Sequence, residues 1–404
     1  MNQLIKDKIQ ELFISTPSDV SVGYGKKITN GQFTGEIGII FNVEKKKPLN
    51  EISENEILPT SVEIGGVTYI TDVFERGKLL ALSCNQEVLD GCYGWQTTTP
   101  TNQTHIRPLK GGTQISSDTA ATGTLGFIAV DNVTNALVAI TNNHVSIVNG
   151  FYSTERDVYN EQNEINNPIY QPGNATTTIG SVIRYSPLKL PGNDIFNSIL
   201  NYVDGAVISV NSSDISFTES FKQQGLPYNL PMAFATTSEI DNLLTTNPPI
   251  YSSGRTTGAK FGACGLTIQS IHATASVYPF TNGTNTNVTL VFGELIDYIR
   301  INPDCEWPIK AGDSGSALIA DFNGTCKIIG LAFAGGSNSG TACRIDRVAQ
   351  ELNISAWDGS TKPFINLSSK TTITTTGSSS NKTIECGGKT YWQVGKTPYS
   401  NPCV

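Results

Sequence analysis

The sequence predicts a mainly β protein: paired barrels or a sandwich of short strands, preceded by a small α+β module and followed by a Ser/Thr-rich tail. Three observations carry this reading. Short β-rich runs recur between turn residues from about residue 122 to 355. Helical periodicity is read at residues 2–14, ahead of that region, and at 344–354, where a lone helical pattern closes it. And 404 residues are too many for one small domain, so separate structural units are expected.

Taken in order, residues 2 to 14 set Leu4, Ile5, Ile9, Leu12 and Phe13 on one helical face. "SVGYG", "TGEIGIIFNVEKKKP" and "VEIGGVTYITDVFE" then read as strands punctuated by Gly and Pro, which closes an N-terminal module at residues 1–78. Residues 79–111 show no period and read as a connector. From "GGTQISSD" the β region runs over 112–355, with a first barrel at about 112–212 and a second at about 225–355. Its runs include "TGTLGFIAVD", "ALVAITNNHV", "YVDGAVISV", "GSALIADF" and "KIIGLAFAG", and the helical pattern "RIDRVAQELNI" closes it. Residues 356–404 hold "SSKTTITTTGSSSNKT", a tract too polar to pack a core, and a cysteine-containing end.

Composition excludes several partners. Net charge is −8, only 15% of residues are charged, and the densest basic run is "EKKK" at 44–47, so nucleic acid is not expected. No run of eighteen apolar residues is present, and the N-terminus alternates charge with Leu and Ile, so neither a membrane span nor a secretory signal is expected. Cytoplasmic, non-classically exported and virion-associated locations all stay open. The eight cysteines include no C-x-x-C pair and have no His-rich neighbours, so no metal is expected. Cys386 and Cys403 are spaced to close a loop by a disulfide in an oxidising environment.

The chemistry concentrates in "IKAGDSGSALIA", residues 309–320. A serine hydroxyl needs a hydrogen-bonded base to accept its proton, and the oxyanion formed by its attack needs donors. Glycines around Ser314 allow a sharp turn that aims the N–H groups of Gly312 and Ser314 at one point, although the same residues also suit an ordinary β-turn. Only three histidines are available, and His144, leaving the apolar run "AITNNHV", sits where a base belongs, while His105 lies in the connector and His272 in a strand-like run. A carboxylate should orient that imidazole. Asp204 in "NYVDGAVISV", at the start of a β-run, is favoured over Asp194 in "GNDIFN".

The order His144, Asp204, Ser314 is that of the chymotrypsin type. "GDSGSAL" together with "TNNHV" resembles the trypsin/chymotrypsin-fold serine peptidases. "SGRTTG" (253–258), "GLAFAGG" (330–336) and "GEIGIIFNVEKKKP…TDVFE" resemble, more narrowly, a bacterial trypsin-like group with an N-terminal α+β module, related to the plant narrow-leaf family. The resemblance spans roughly residues 20–355 and implies a chymotrypsin-like double β-barrel, with His144 and Asp204 on the first barrel and Ser314 on the second. An ungapped match lines the substrate pocket with Pro308, Ile309, Ala332, Phe333 and Ala334 and contains no acid, so small or apolar side chains are expected there. No "IVGG"-like stretch follows a basic site, which leaves Asp313 without the N-terminal amine it would pair with in activated members. The activity expected is an endopeptidase cleaving polypeptide through an acyl-enzyme, without metal or organic cofactor. The alternative is a structural or binding protein, of a surface layer or virus particle for example, built on a protease-like fold.

Overall fold

The computed structural model describes residues 2–81, 101–117, 122–147, 151–152, 165–173, 177–189, 200–227, 233–281, 287–305 and 307–365, and the backbone of three short tail strands within 374–392. The protein is mainly β, with two curled sheets in a chymotrypsin-like double-barrel arrangement and a small N-terminal helix-plus-strand module.

The module opens with α1 (Asn2–Ser15), which buries Ile5, Ile9 and Leu12 while Leu4 points to solvent. Those side chains pack on Val20, Val22, Ile39, Phe41, Val62 and Ile64, a core of the module's own. Its strands are β1 (Ser21–Thr29), β2 (Gln32–Val43), β3 (Ser61–Ile64) and β4 (Val67–Glu75), and a short β5 (Leu80–Ala81) follows. β1 pairs antiparallel with β2, β2 parallel with β4, and β4 antiparallel with β3.

The first barrel is built from β6 (Gln114–Ser117), β7 (Thr122–Thr124), β8 (Phe127–Asp131), β9 (Leu137–Thr141), β10 (Pro168–Tyr170), β11 (Thr178–Tyr185) and β12 (Ala206–Ser209). β9 is buried on both faces, as its uninterrupted apolar run requires. Val138 and Ile140 enter a core shared with the second barrel, and Leu137 and Ala139 face the opposite core with Ile128 and Ile208.

The second barrel uses β13 (Ile250–Gly254), β14 (Gly258–Lys260), β15 (Leu266–Thr281), β16 (Asn287–Arg300), β17 (Ala317–Phe322), β18 (Thr325–Gly335) and β19 (Ser339–Arg344). Six of these form a ring, β13–β17–β18–β19–β16–β15, closed by the pairing of Ile250 with Leu266. The helix that follows, α2 (Ile345–Glu351), leads into β20 (Ile354–Ala356), which crosses back to pair with β8 of the first barrel.

The module is stitched into this second sheet. β1 pairs antiparallel with β15, setting Gly25 opposite Ser270, where a Cβ on Gly25 would lie 2.2 Å from the Gln269 carbonyl oxygen. The glycines of "SVGYG" thus permit a backbone approach that larger residues would block.

Candidate active site

Register brings the histidine and the acid together. Thr141 at the end of β9 pairs with Ala206 at the start of β12. Continuing that antiparallel register by two residues sets Asp204 against the turn that carries His144. His144 Nδ1–H donates to Asp204 Oδ2, the His144 backbone N–H donates to Asp204 Oδ1 (3.2 Å), and Asn142 Nδ2 donates to the Asp204 carbonyl (2.6 Å). Asp204 is fully buried, so its carboxylate acts in a low dielectric and fixes both the tautomer and the orientation of the ring.

On the other side of the Asp204 backbone its N–H donates to Cys343 Sγ (3.4 Å). Burial, then the Asp204 carboxylate, drives the Cys343 thiol well above its ordinary range, which makes it an inert packing group rather than a nucleophile.

Ser314 lies in the loop entering β17 and is buried. Gly123 separates this loop from the His144 turn: a Cβ there would sit 2.5 Å from Val145 and 2.9 Å from the Ser314 carbonyl oxygen. Thr124 of the first barrel holds the loop: its N–H donates to Ser314 O (2.8 Å) and its hydroxyl donates to Gly312 O (2.8 Å). Ser314 Oγ donates to the Phe333 carbonyl (3.1 Å).

Both glycines of the loop have positive φ, +92° at Gly312 and +96° at Gly315, where L side chains are strained. With both loop carbonyls taken by Thr124, the Gly312 and Ser314 N–H groups have no protein partner among the described residues. Two neighbouring free donors beside a serine hydroxyl can receive an oxyanion.

Asp313 shapes that loop. Its Oδ1 accepts from the N–H groups of Thr256 (2.7 Å) and Thr257 (3.1 Å), and its Oδ2 from Lys310 N–H (2.9 Å). Burial pushes the carboxyl above the usual range, against those three donors. The "SGRTTG" turn therefore supplies internally the partner that Asp313 lacks in sequence, and no amine from a freed N-terminus takes part in these bonds. Nothing in the sequence pointed to Thr124, a threonine in an ordinary β-run.

The remaining histidines are placed elsewhere. His105 is exposed, and His272 is buried with Nδ1 accepting from Arg344 Nη1 (3.0 Å) and Nε2 facing Asp241 (3.4 Å). Asp194, the rival acid, lies outside the described residues, as do Cys403 and the side chain of Cys386. The described disulfide is Cys264–Cys305. Pro308 and Ile309 are buried ahead of the loop, and Ala332, Phe333 and Ala334 are buried in β18, where the Phe333 ring packs on Phe292 with centroids 4.7 Å apart. No helix among the described residues is long and apolar enough to cross a membrane.

No protein-family model matches the sequence, and no curated protein matches it. Among solved structures the chain is similar to Thermobifida fusca protease A at 13% identity and a TM-score of 0.37, over 62% of this chain and 98% of that one. It is also similar to a glutamic-acid-specific serine protease said to use a histidine triad in substrate binding, at 12% identity and a TM-score of 0.37, over 62% and 100%. Cellulomonas bogoriensis chymotrypsin matches at 15% identity and a TM-score of 0.35, over 62% and 98%. These neighbours are serine proteases of the trypsin/chymotrypsin fold.

Proposed function

We propose that the protein is a serine endopeptidase that hydrolyses polypeptides through an acyl-enzyme, with Ser314 as nucleophile, His144 as general base and Asp204 as the acid that orients it. The observation that carries this reading is the buried Asp204 carboxylate, bonded to both the ring and the backbone N–H of His144 beside the Ser314 loop. In the proposed reaction Ser314 Oγ leaves the Phe333 carbonyl, attacks the substrate carbonyl carbon, and passes its proton to His144 Nε2. The oxyanion is held by the N–H groups of Gly312 and Ser314, and the protonated imidazole then gives its proton to the departing amine. Water, deprotonated by the same ring, attacks the ester carbonyl, and the proton returns to Ser314 as the acid product leaves.

The residues along the loop support a preference for small or apolar side chains. Pro308, Ile309, Ala332, Phe333 and Ala334 offer no carboxylate, and a Lys or Arg side chain buried among them would be an unpaired charge. A fluorophosphonate should label Ser314, and peptide mapping of digests should find products made by wild type and absent with Ser314→Ala. A folded protein that neither labels at Ser314 nor cleaves any peptide in a library would be a structural or binding protein instead. Predominant cleavage after Lys or Arg would overturn the pocket assignment alone.

A further inference from the structure

One edge of β18 changes partner beside the nucleophile. From Thr325 to Leu331 that edge pairs with β17, and Ala332 N–H donates to Ser316 O (2.9 Å), so the pairing leads straight back to the Ser314 loop. The opposite edge is occupied by β19 through Gly335. Beyond the loop, the first edge is taken by β5, with Ala81 against Ala334 and Leu80 against Gly335, antiparallel. The Ser314 hydroxyl lies between the two partners, on the Phe333 carbonyl.

Chain direction matters here. From Leu80 to Ala81 the backbone steps from Gly335 to Ala334, toward Phe333 and Ser314. A peptide that delivers its carbonyl to Ser314 with its upstream residues paired along this edge would run in this same polarity. The segment before β5 is anchored rather than loosely laid. Leu79 is buried in the core, its carbonyl accepts from Tyr278 N–H (3.2 Å), and the Lys78 ammonium sits 4.6 Å from the Tyr278 ring centroid. The Arg76 carbonyl accepts from Ser337 Oγ (3.3 Å) and Asn338 N–H (3.4 Å).

Resting on the serine-peptidase reading, we propose that Leu79–Ala81 is an internal occupant of the substrate strand and holds the chain latent. A polypeptide substrate must displace Leu80–Ala81 from Ala334–Gly335 before its carbonyl reaches Ser314. Because the occupant is tethered in cis, it competes at a high effective concentration that a free peptide does not match.

Two probes separate this from the underlying activity. A small alkyl fluorophosphonate needs only Ser314, whereas the same fluorophosphonate group carried on a Leu-Leu-Ala peptide also needs the edge. In wild type the peptide extension should accelerate labelling of Ser314 by less than about threefold. In Leu80→Pro, which removes the β5 N–H that faces Gly335, and in Ala81→Pro, which removes the one that faces Tyr278 on the other side of β5, the tripeptidyl probe should label about tenfold faster or more, the weight of one or two hydrogen bonds. The alkyl probe should be unchanged. A strong peptide advantage already present in wild type overturns the inference, and this measurement stands even where a proline variant fails to fold. So does a folded proline variant that gains no advantage. Absence of alkyl-probe labelling at Ser314 in every folded form overturns the peptidase reading itself.

Discussion

Asp313→Asn isolates what shapes the Ser314 loop. The amide is nearly isosteric with the carboxylate and can retain one oxygen toward Thr256 and Thr257, but its NH2 end then meets the Lys310 N–H, donor against donor. The loss is one charge-assisted hydrogen bond, about 2 kcal/mol, and one orphaned buried N–H, about 2 kcal/mol more. Removing a buried charge whose carboxyl is already pushed up by burial returns part of this, leaving a net destabilisation of about 2 to 3 kcal/mol. Thermal and urea unfolding should report that fall. The catalytic effect should be larger, because Lys310–Asp313 closes the turn that sets the Gly312 and Ser314 donors. Misplacing one oxyanion donor lowers kcat about a hundred- to a thousandfold, with KM little changed. Steady-state kinetics and Ser314 labelling rates should fall together. Unchanged stability, together with kcat within about threefold of wild type, would refute the role given to Asp313.

Asp204→Asn should lower kcat by roughly four orders of magnitude, as an amide favours the wrong imidazole tautomer, while Asp194→Asn should leave it within about threefold; the reverse ranking would move the acid to Asp194. His272 should make stability fall in acid: burial, then the Arg344 guanidinium, lowers its pKa from 6.5 to about 4, with the Asp241 carboxylate opposing them. The unfolded chain therefore takes a proton below 6.5 that the native state declines until about 4, so stability is full above that window and falls by about 3 kcal/mol across it. Urea midpoints at pH 7 and 4.5 should differ more for wild type than for His272→Gln, and equal differences would refute the assignment. Removing the Cys264–Cys305 bridge, which spans 41 residues, should cost about 4 kcal/mol on the chain-entropy model, read as a lower melting temperature for the double serine variant.

What was legible in the sequence was whatever depends on neighbours along the chain. Apolar continuity marked β9, and the polar exit after it marked His144. Gly–Asp–Ser–Gly marked a turn whose φ values admit only glycine comfortably. Long-range register was not legible. "SVGYG" reads as a strand, but nothing local says that it pairs with a strand about 250 residues later, or that β5 fills the edge beyond the Ser314 loop. The Cys264–Cys305 pairing was hidden for the same reason, since eight cysteines allow many connectivities. His272 and Glu294 interrupt two strand-like runs at φ of +56° and +55°, values that bulged pairing imposes and that residue type does not announce.

The module's attachment also decides what kind of experiment can probe its role. Asp297, fully buried in β16, accepts from Ser270 Oγ (2.9 Å) and Thr341 Oγ1 (2.7 Å) of the barrel and from Asn42 Nδ2 (3.4 Å) of the module. The Arg76 guanidinium, itself buried, stands 3.7 Å away as its counter-charge. A second tie runs through α1, where Lys6 reaches Glu294 (2.9 Å), which also binds Arg347 of α2. Deleting residues 1–78 would therefore open the β1-paired edge of β15 and strand the Asp297 carboxylate without its cation. Breaking a buried pair from one side costs about 3 to 5 kcal/mol. A truncated chain would thus lose the scaffold of the second barrel along with Lys78 and the run into β5, so its inactivity would say nothing about latency. Substitutions confined to Leu80 and Ala81 leave Arg76, Asn42 and α1 in place, and they alone separate a module that supports the barrel from a strand that occupies its cleft.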